Sequence, residues 1–90
     1  MTAPVYDTAF NGKTVIVTGA SSGLGAALAM EFARRGAKLG LFALDQEGVD
    51  DVAVKCLETG AGGCVAMSGD VNRPEDCRAL IETTAEAFDG

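Results

Sequence analysis

The glycines of Thr18-Gly19-Ala20-Ser21-Ser22-Gly23-Leu24-Gly25 recur as Gly-x3-Gly-x-Gly between an apolar run and an amphipathic pattern. In that setting backbone amides can hold an anion. Gly19 permits a tight turn out of a strand, Gly23 lets N–H groups approach a pyrophosphate, and Gly25 lets the next helix pack close to the sheet. Ser21 and Ser22 add hydroxyl donors and suit the cap of that helix. The first N–H groups of a helix have no partner within it, and the dipole is positive there. A diphosphate can therefore be held without lysine or arginine. The segment reads as a dinucleotide cradle, with Leu24 part of it. A triphosphate loop would end in Gly-Lys-Ser or Gly-Lys-Thr, whereas this chain has Gly25-Ala26-Ala27. Asp45 follows Gly25 by 20 residues, the interval at which an acid commonly bonds the ribose 2′-hydroxyl of such a ligand. Its short carboxylate equally suits the cap of a helix beginning near Gln46.

These groups need a sheet to carry them. Lys13 to Thr18 is β-branched and apolar, as expected for a strand buried on both faces of a parallel sheet. Leu24, Leu28 and Phe32, with Ala27 beside them, recur at helical spacing and predict one buried face, which Gly36 terminates. Arg34 and Arg35 complement the negative end of that helix. Lys38 to Leu44 predicts a second strand, and Val49, Val52, Ala53 and Leu57 a second buried helical stripe that Cys56 adjoins. After the loop 59–63, Cys64 to Ser68 predicts a short third strand ending at Gly69-Asp70-Val71. A third helix follows, with Asn72 as its cap, Pro74 in its first turn and a stripe of Leu80, Ile81, Thr84, Ala85 and Phe88. The expected fold class is α/β, the N-terminal half of a doubly wound Rossmann fold in which three parallel strands alternate with three helices.

The Thr-Gly-x3-Gly-x-Gly loop between strand and helix resembles that of the short-chain dehydrogenase/reductase family, and the resemblance runs from Gly12-Lys13 to Phe88-Asp89-Gly90. It implies that Asp70 meets the adenine amino group and that Val71 packs near the ring. A turn aspartate ahead of a helix is the alternative. Aligned on Gly36-Ala37, the resemblance puts Ala43 or Leu44 where the family carries its discriminating acid or arginine, with Asp45 one or two places later. Residues 43–48 hold two acids and no base. A 2′-phosphate would find no arginine there, and NAD is favoured over NADP.

The family's later chemistry rests on an Asn-Asn-Ala-Gly stretch, a catalytic serine and Tyr-x-x-x-Lys, none of which occurs in these 90 residues. Tyr6 is the only tyrosine and lacks a lysine four residues on. No catalytic residue is assigned. The expectation is the NAD(P)-binding part of a longer oxidoreductase that moves hydride between a nicotinamide cofactor and an alcohol or carbonyl, as a homo-oligomer when complete. The alternatives are a non-catalytic nucleotide-binding or interaction module, or an inactive fragment.

Thirteen acids against seven bases give a net charge of −6. Without a basic stripe to release counterions, nucleic acid and anionic membrane are excluded as partners. The sequence has neither a signal-like start nor an apolar run of spanning length, so a cytoplasmic location is expected. Cys56, Cys64 and Cys77 match no zinc or Cys-x-x-Cys spacing and the chain has no histidine. They are expected to be structural thiols, with no metal site. Residues 1–11 are expected to form an N-terminal arm, and residues 12–90 a partial dinucleotide-binding domain.

Overall fold

Strand and helix alternate strictly in the computed structural model, which describes residues 10–88. The elements are β1 (Thr14–Thr18), α1 (Gly23–Arg34), β2 (Lys38–Ala43), α2 (Gln46–Thr59), β3 (Gly63–Ser68) and α3 (Pro74–Phe88). All strand pairs are parallel, in the order β1-β2-β3, with rows Val15-Leu39-Cys64, Ile16-Gly40-Val65 and Val17-Leu41-Ala66 across the sheet. Parallel neighbours require a crossover, and a helix supplies each one. This is the N-terminal half of a doubly wound α/β fold. Most of residues 1–11, the expected arm, lies outside the described residues.

Side chains alternate across the strands, so the two faces are distinct. On one face Val17, Leu39 and Leu41 join Ala29 and Ala33 of α1 and Val49, Val52, Ala53 and Cys56 of α2 in the main core. On the other, α3 is the one helix that packs among the described residues. A Cβ at Gly40 would come 2.5 Å from Thr84 Oγ1, and one at Gly63 2.7 Å from the Phe88 ring. Leu80 and Thr84 are the buried residues of α3.

Several expectations are corrected. β2, not β1, is the strand buried on both faces. β1 lies at the sheet edge, where only Val17 is buried and Ile16 is 40% exposed. Leu24 and Leu28 do not form the buried stripe of α1, being 76% and 43% exposed. The helix instead meets the sheet through Ala29 and Ala33, with Ala26, Met30 and Phe32 partly buried. Close approach selects small side chains at the contact, and the leucines turn outward. In α2 the stripe closes on Cys56 while Leu57 stays exposed, because position i+7 from Val49 lies nearer the buried meridian than i+8. In α3, Ile81 and Ala85 are exposed, and no second helix lies beside them among the described residues. Asn72 is not the cap of α3. Its N–H donates to Asp70 Oδ1 at 2.9 Å, while the carbonyl of Arg73 receives the N–H groups of Asp76 and Cys77. Leu44 lies beyond the end of β2. Arg34 and Arg35 both pair with Glu31, Arg35 at 2.9 Å.

Candidate functional site

Gly19, at φ 64°, and Gly23, at φ 58°, adopt backbone conformations that an L side chain rarely takes, and the space a Cβ would occupy is open at both. Ala20 between them is fully buried and donates its N–H to the Phe42 carbonyl at 3.0 Å, tying the loop to the end of β2. A Cβ at Gly25 would collide with the Gly19 carbonyl, so the first turn of α1 sits directly against the loop. Ser22 occupies the N-cap position, with its carbonyl accepting from Ala26 N–H at 3.4 Å. Its side chain makes no capping bond, contrary to expectation. Gly23, at the first helical position, has a left-handed backbone, and the first N–H groups of α1 follow it. Those N–H groups have no acceptor within the helix.

Asp45 is the N-cap residue of α2, and its carboxylate likewise makes no capping bond. The third helical position is Gly48, where a Cβ would lie 2.8 Å from Asp45 Oδ2 and 3.0 Å from Ser21 Cβ. The missing side chain lets the acid at the end of β2 and the serine of the glycine loop converge. Beyond β3, Gly69 donates its N–H to the Ala43 carbonyl at 2.9 Å, and Asp70 N–H donates to Asp76 Oδ2 at 3.0 Å.

These segments line a single cleft of about 320 Å³ at the carboxyl ends of the strands. Six of the residues singled out in the sequence meet there: Gly19, Ser21, Ser22, Asp45, Asp70 and Val71. Gly23, Leu24 and Gly25 sit beside it in the first turn of α1 and are not on its lining. The lining also includes Phe42, Ala43, Leu44, Gly69 and Asn72. Leu44 and Val71 are exposed apolar side chains at its mouth, 79% and 54% exposed. Of these five, Ala43 and Leu44 were marked by the resemblance as the place of the family's discriminating acid and Asn72 was expected only as a helix cap, whereas Phe42 and Gly69 carried no signal for the site. Both charged residues on the lining are acids. Carboxylates there can accept from hydroxyls and amines, the glycine loop can donate to an anion, and Leu44 and Val71 can flank a flat ring.

The cysteines lie elsewhere. Cys56 is buried beside Met30, with the sulfurs 3.8 Å apart, and burial raises its pKa. Burial first, and the adjoining Cys56 second, push the Cys64 thiol up to about 12. Cys77 donates to the Val71 carbonyl at 3.4 Å. Among the described residues no helix is long and apolar enough to cross a membrane.

Comparison with known proteins bears on the same segment of chain. The 11-beta-hydroxysteroid dehydrogenase A of Sesamum indicum is 42% identical over 77 residues, covering 86% of this chain and 22% of its own length. The protein of the same name from Arachis hypogaea is 44% identical over 77 residues, 86% of this chain and 22% of its own. The 11-beta-hydroxysteroid dehydrogenase-like 2 of Arabidopsis thaliana is 42% identical over 77 residues, 86% of this chain and 25% of its own. The chain thus spans about a quarter of the length of these relatives. The short chain dehydrogenase profile matches residues 13–90, which hold the glycine loop, every strand and helix of the described residues, and both acids of the cleft. With that agreement of profile and parallel β-α-β order, the chain belongs to the short-chain dehydrogenase family.

Proposed function

We propose that this chain forms the dinucleotide-binding part of an oxidoreductase that moves hydride between a nicotinamide cofactor and an alcohol or carbonyl, with NAD preferred over NADP. The observation that carries this reading is the convergence of the glycine loop, Asp45 and Asp70 on one cleft at the carboxyl ends of the strands. The lining fits the ligand group by group. Gly19, Ser21, Ser22 and Gly23, with the first turn of α1 through Leu24 and Gly25, hold the pyrophosphate and its neighbouring ribose by amides and the helix dipole. Asp45 accepts from the adenosine ribose hydroxyls, which its unused capping capacity and the space at Gly48 support. Asp70 accepts from the adenine amine, and Val71 and Leu44 flank the ring. Two acids and no base on the lining disfavour a 2′-phosphate.

The nicotinamide ring, when bound, supplies the hydride acceptor or donor. The residues of this chain bind and orient it from the adenosine end. None of the residues lining the cleft is assigned the proton transfer at the reacting carbon. The relatives are named as hydroxysteroid dehydrogenases, which supports a hydroxyl or carbonyl substrate.

Calorimetric titration of the full-length protein with NAD+ and NADP+ tests this. NAD+ is expected to bind at least about tenfold more tightly, the value of one charge-assisted interaction. Tighter NADP+ would overturn the preference. Binding of neither would overturn the cradle.

A further inference from the structure

At the end of β3 and just beyond it, four of the five N–H groups from Ser68 to Asn72 are taken up. Ser68 N–H donates to Gln46 Oε1 at 3.1 Å, Gly69 N–H to the Ala43 carbonyl at 2.9 Å, Asp70 N–H to Asp76 Oδ2 at 3.0 Å, and Asn72 N–H to Asp70 Oδ1 at 2.9 Å. Of these acceptors Asp76 is the least expected. It stands at the third position of α3, where an acid commonly reaches back to the cap of its own helix. Here it passes Arg73 and bonds a residue six positions upstream, inside the cleft wall. The same carboxylate bounds the space at Gly69, where a Cβ would lie 3.2 Å from Asp76 Oδ2 and 2.5 Å from Phe42 Cζ. The peptide ahead of Asp70 is therefore confined between a buried ring and a charged acceptor. Asp70 Oδ1 accepts from Asn72 N–H, and Oδ2 has no partner among the described residues.

We infer that Asp76 is a positioning residue for purine recognition. By holding the Asp70 N–H it aims the second carboxylate oxygen of Asp70 into the cleft, and so sets discrimination between adenine and purines lacking the 6-amino group. This rests on the proposal that Asp70 meets the adenine amine.

The test compares NAD+ with nicotinamide hypoxanthine dinucleotide, which replaces the amine by a carbonyl, on the full-length protein. The parent is expected to favour NAD+ about tenfold, the worth of a hydrogen bond to a charged group. Asp76→Ala is expected to reduce the ratio to within about twofold of unity, and Asp76→Asn, which keeps an acceptor in place, to preserve it. A general loss of stability would weaken both ligands alike and leave the ratio intact. Should Asp76→Ala fail to fold, Asp76→Glu, which displaces the acceptor by one methylene, is read the same way. A parent with no preference would overturn the Asp70 assignment and this inference with it. A parent with a preference that Asp76→Ala or Asp76→Glu retains would overturn the role of Asp76 alone.

Discussion

Gly48 lies in the first turn of α2, where alanine would favour the helix by about 1 kcal/mol. Its missing Cβ is instead the space shared by Asp45 Oδ2 and Ser21. An added methyl meets the end of the Asp45 side chain first and then presses on Ser21 Cβ, so the carboxylate moves. Gly48→Ala is expected to leave the thermal midpoint equal or higher and to weaken NAD+ binding about fivefold, as for a misplaced hydrogen bond. Calorimetry beside a melting curve checks both, and unchanged affinity would remove Asp45 from the ribose site. Cys64 gives a prediction of a different kind. An ordinary thiol, as in the unfolded chain, ionises at 9.0, whereas Cys64 in the fold does so at about 12. Above the lower value the unfolded state releases a proton that the folded state retains, so stability present below pH 9.0 declines as pH rises toward about 12. Cys64→Ala is expected to flatten that decline in urea midpoints measured across the range. The glycine spacing, Asp45 and Asp70 were legible in the sequence because turn and acid chemistry is local. Gly48, Gln46 and Asp76 were not, since each acquires its meaning from a partner brought near by the fold.

At the scale of elements, the six segments were legible because apolar runs alternate with helical periodicity, and their boundaries differ from expectation by a residue or so. Which face each helix buries was less legible. Periodicity marks the largest apolar stripe, and Leu24-Leu28 is larger than Ala29-Ala33, yet the fully buried residues of α1 are the alanines, with Met30 and Phe32 partly buried beside them. On the opposite face, Thr84 rests on Gly40. Its hydroxyl is buried without a hydrogen-bond partner among the described residues. An unsatisfied buried hydroxyl costs about 1–3 kcal/mol. Thr84→Val, close in shape, is expected to raise stability by about 1 kcal/mol in urea unfolding, whereas Gly40→Ala should lower it by about 1–3 kcal/mol through overpacking. A neutral or destabilising Thr84→Val would mean that the hydroxyl finds an acceptor in solution.

The molecule as a whole is asymmetric about its sheet. The outer edge of β3 is partly covered, because the Gln46 side-chain amide donates to the Ala66 carbonyl at 3.4 Å and accepts from Ser68 N–H at 3.1 Å, a side chain standing in for one residue of a neighbouring strand. Among the described residues no strand pairs with the outer edge of β1. That strand, Thr-Val-Ile-Val-Thr, carries no charge, and beside it Thr14, Ile16, Ile81, Thr84 and Ala85 line an open groove of about 310 Å³. An uncharged β-branched edge with apolar surface alongside is a template for edge-to-edge pairing. Net charge opposes association at long range, but at 0.15 M salt its reach is only about 8 Å, so a strand edge in contact is governed by local chemistry. A polypeptide of residues 1–90 should therefore associate through β1 rather than β3. Ile16→Lys places a charge on the half-exposed side chain at the middle of that edge. The onset of light scattering is expected to move to several-fold higher protein concentration, with the circular dichroism spectrum unchanged. Gln46→Ala uncovers β3 and should move the onset the other way. If Ile16→Lys left the onset where it was while Gln46→Ala lowered it, the vulnerable edge would be β3, and the exposed row of β1 would be protected by its own twist.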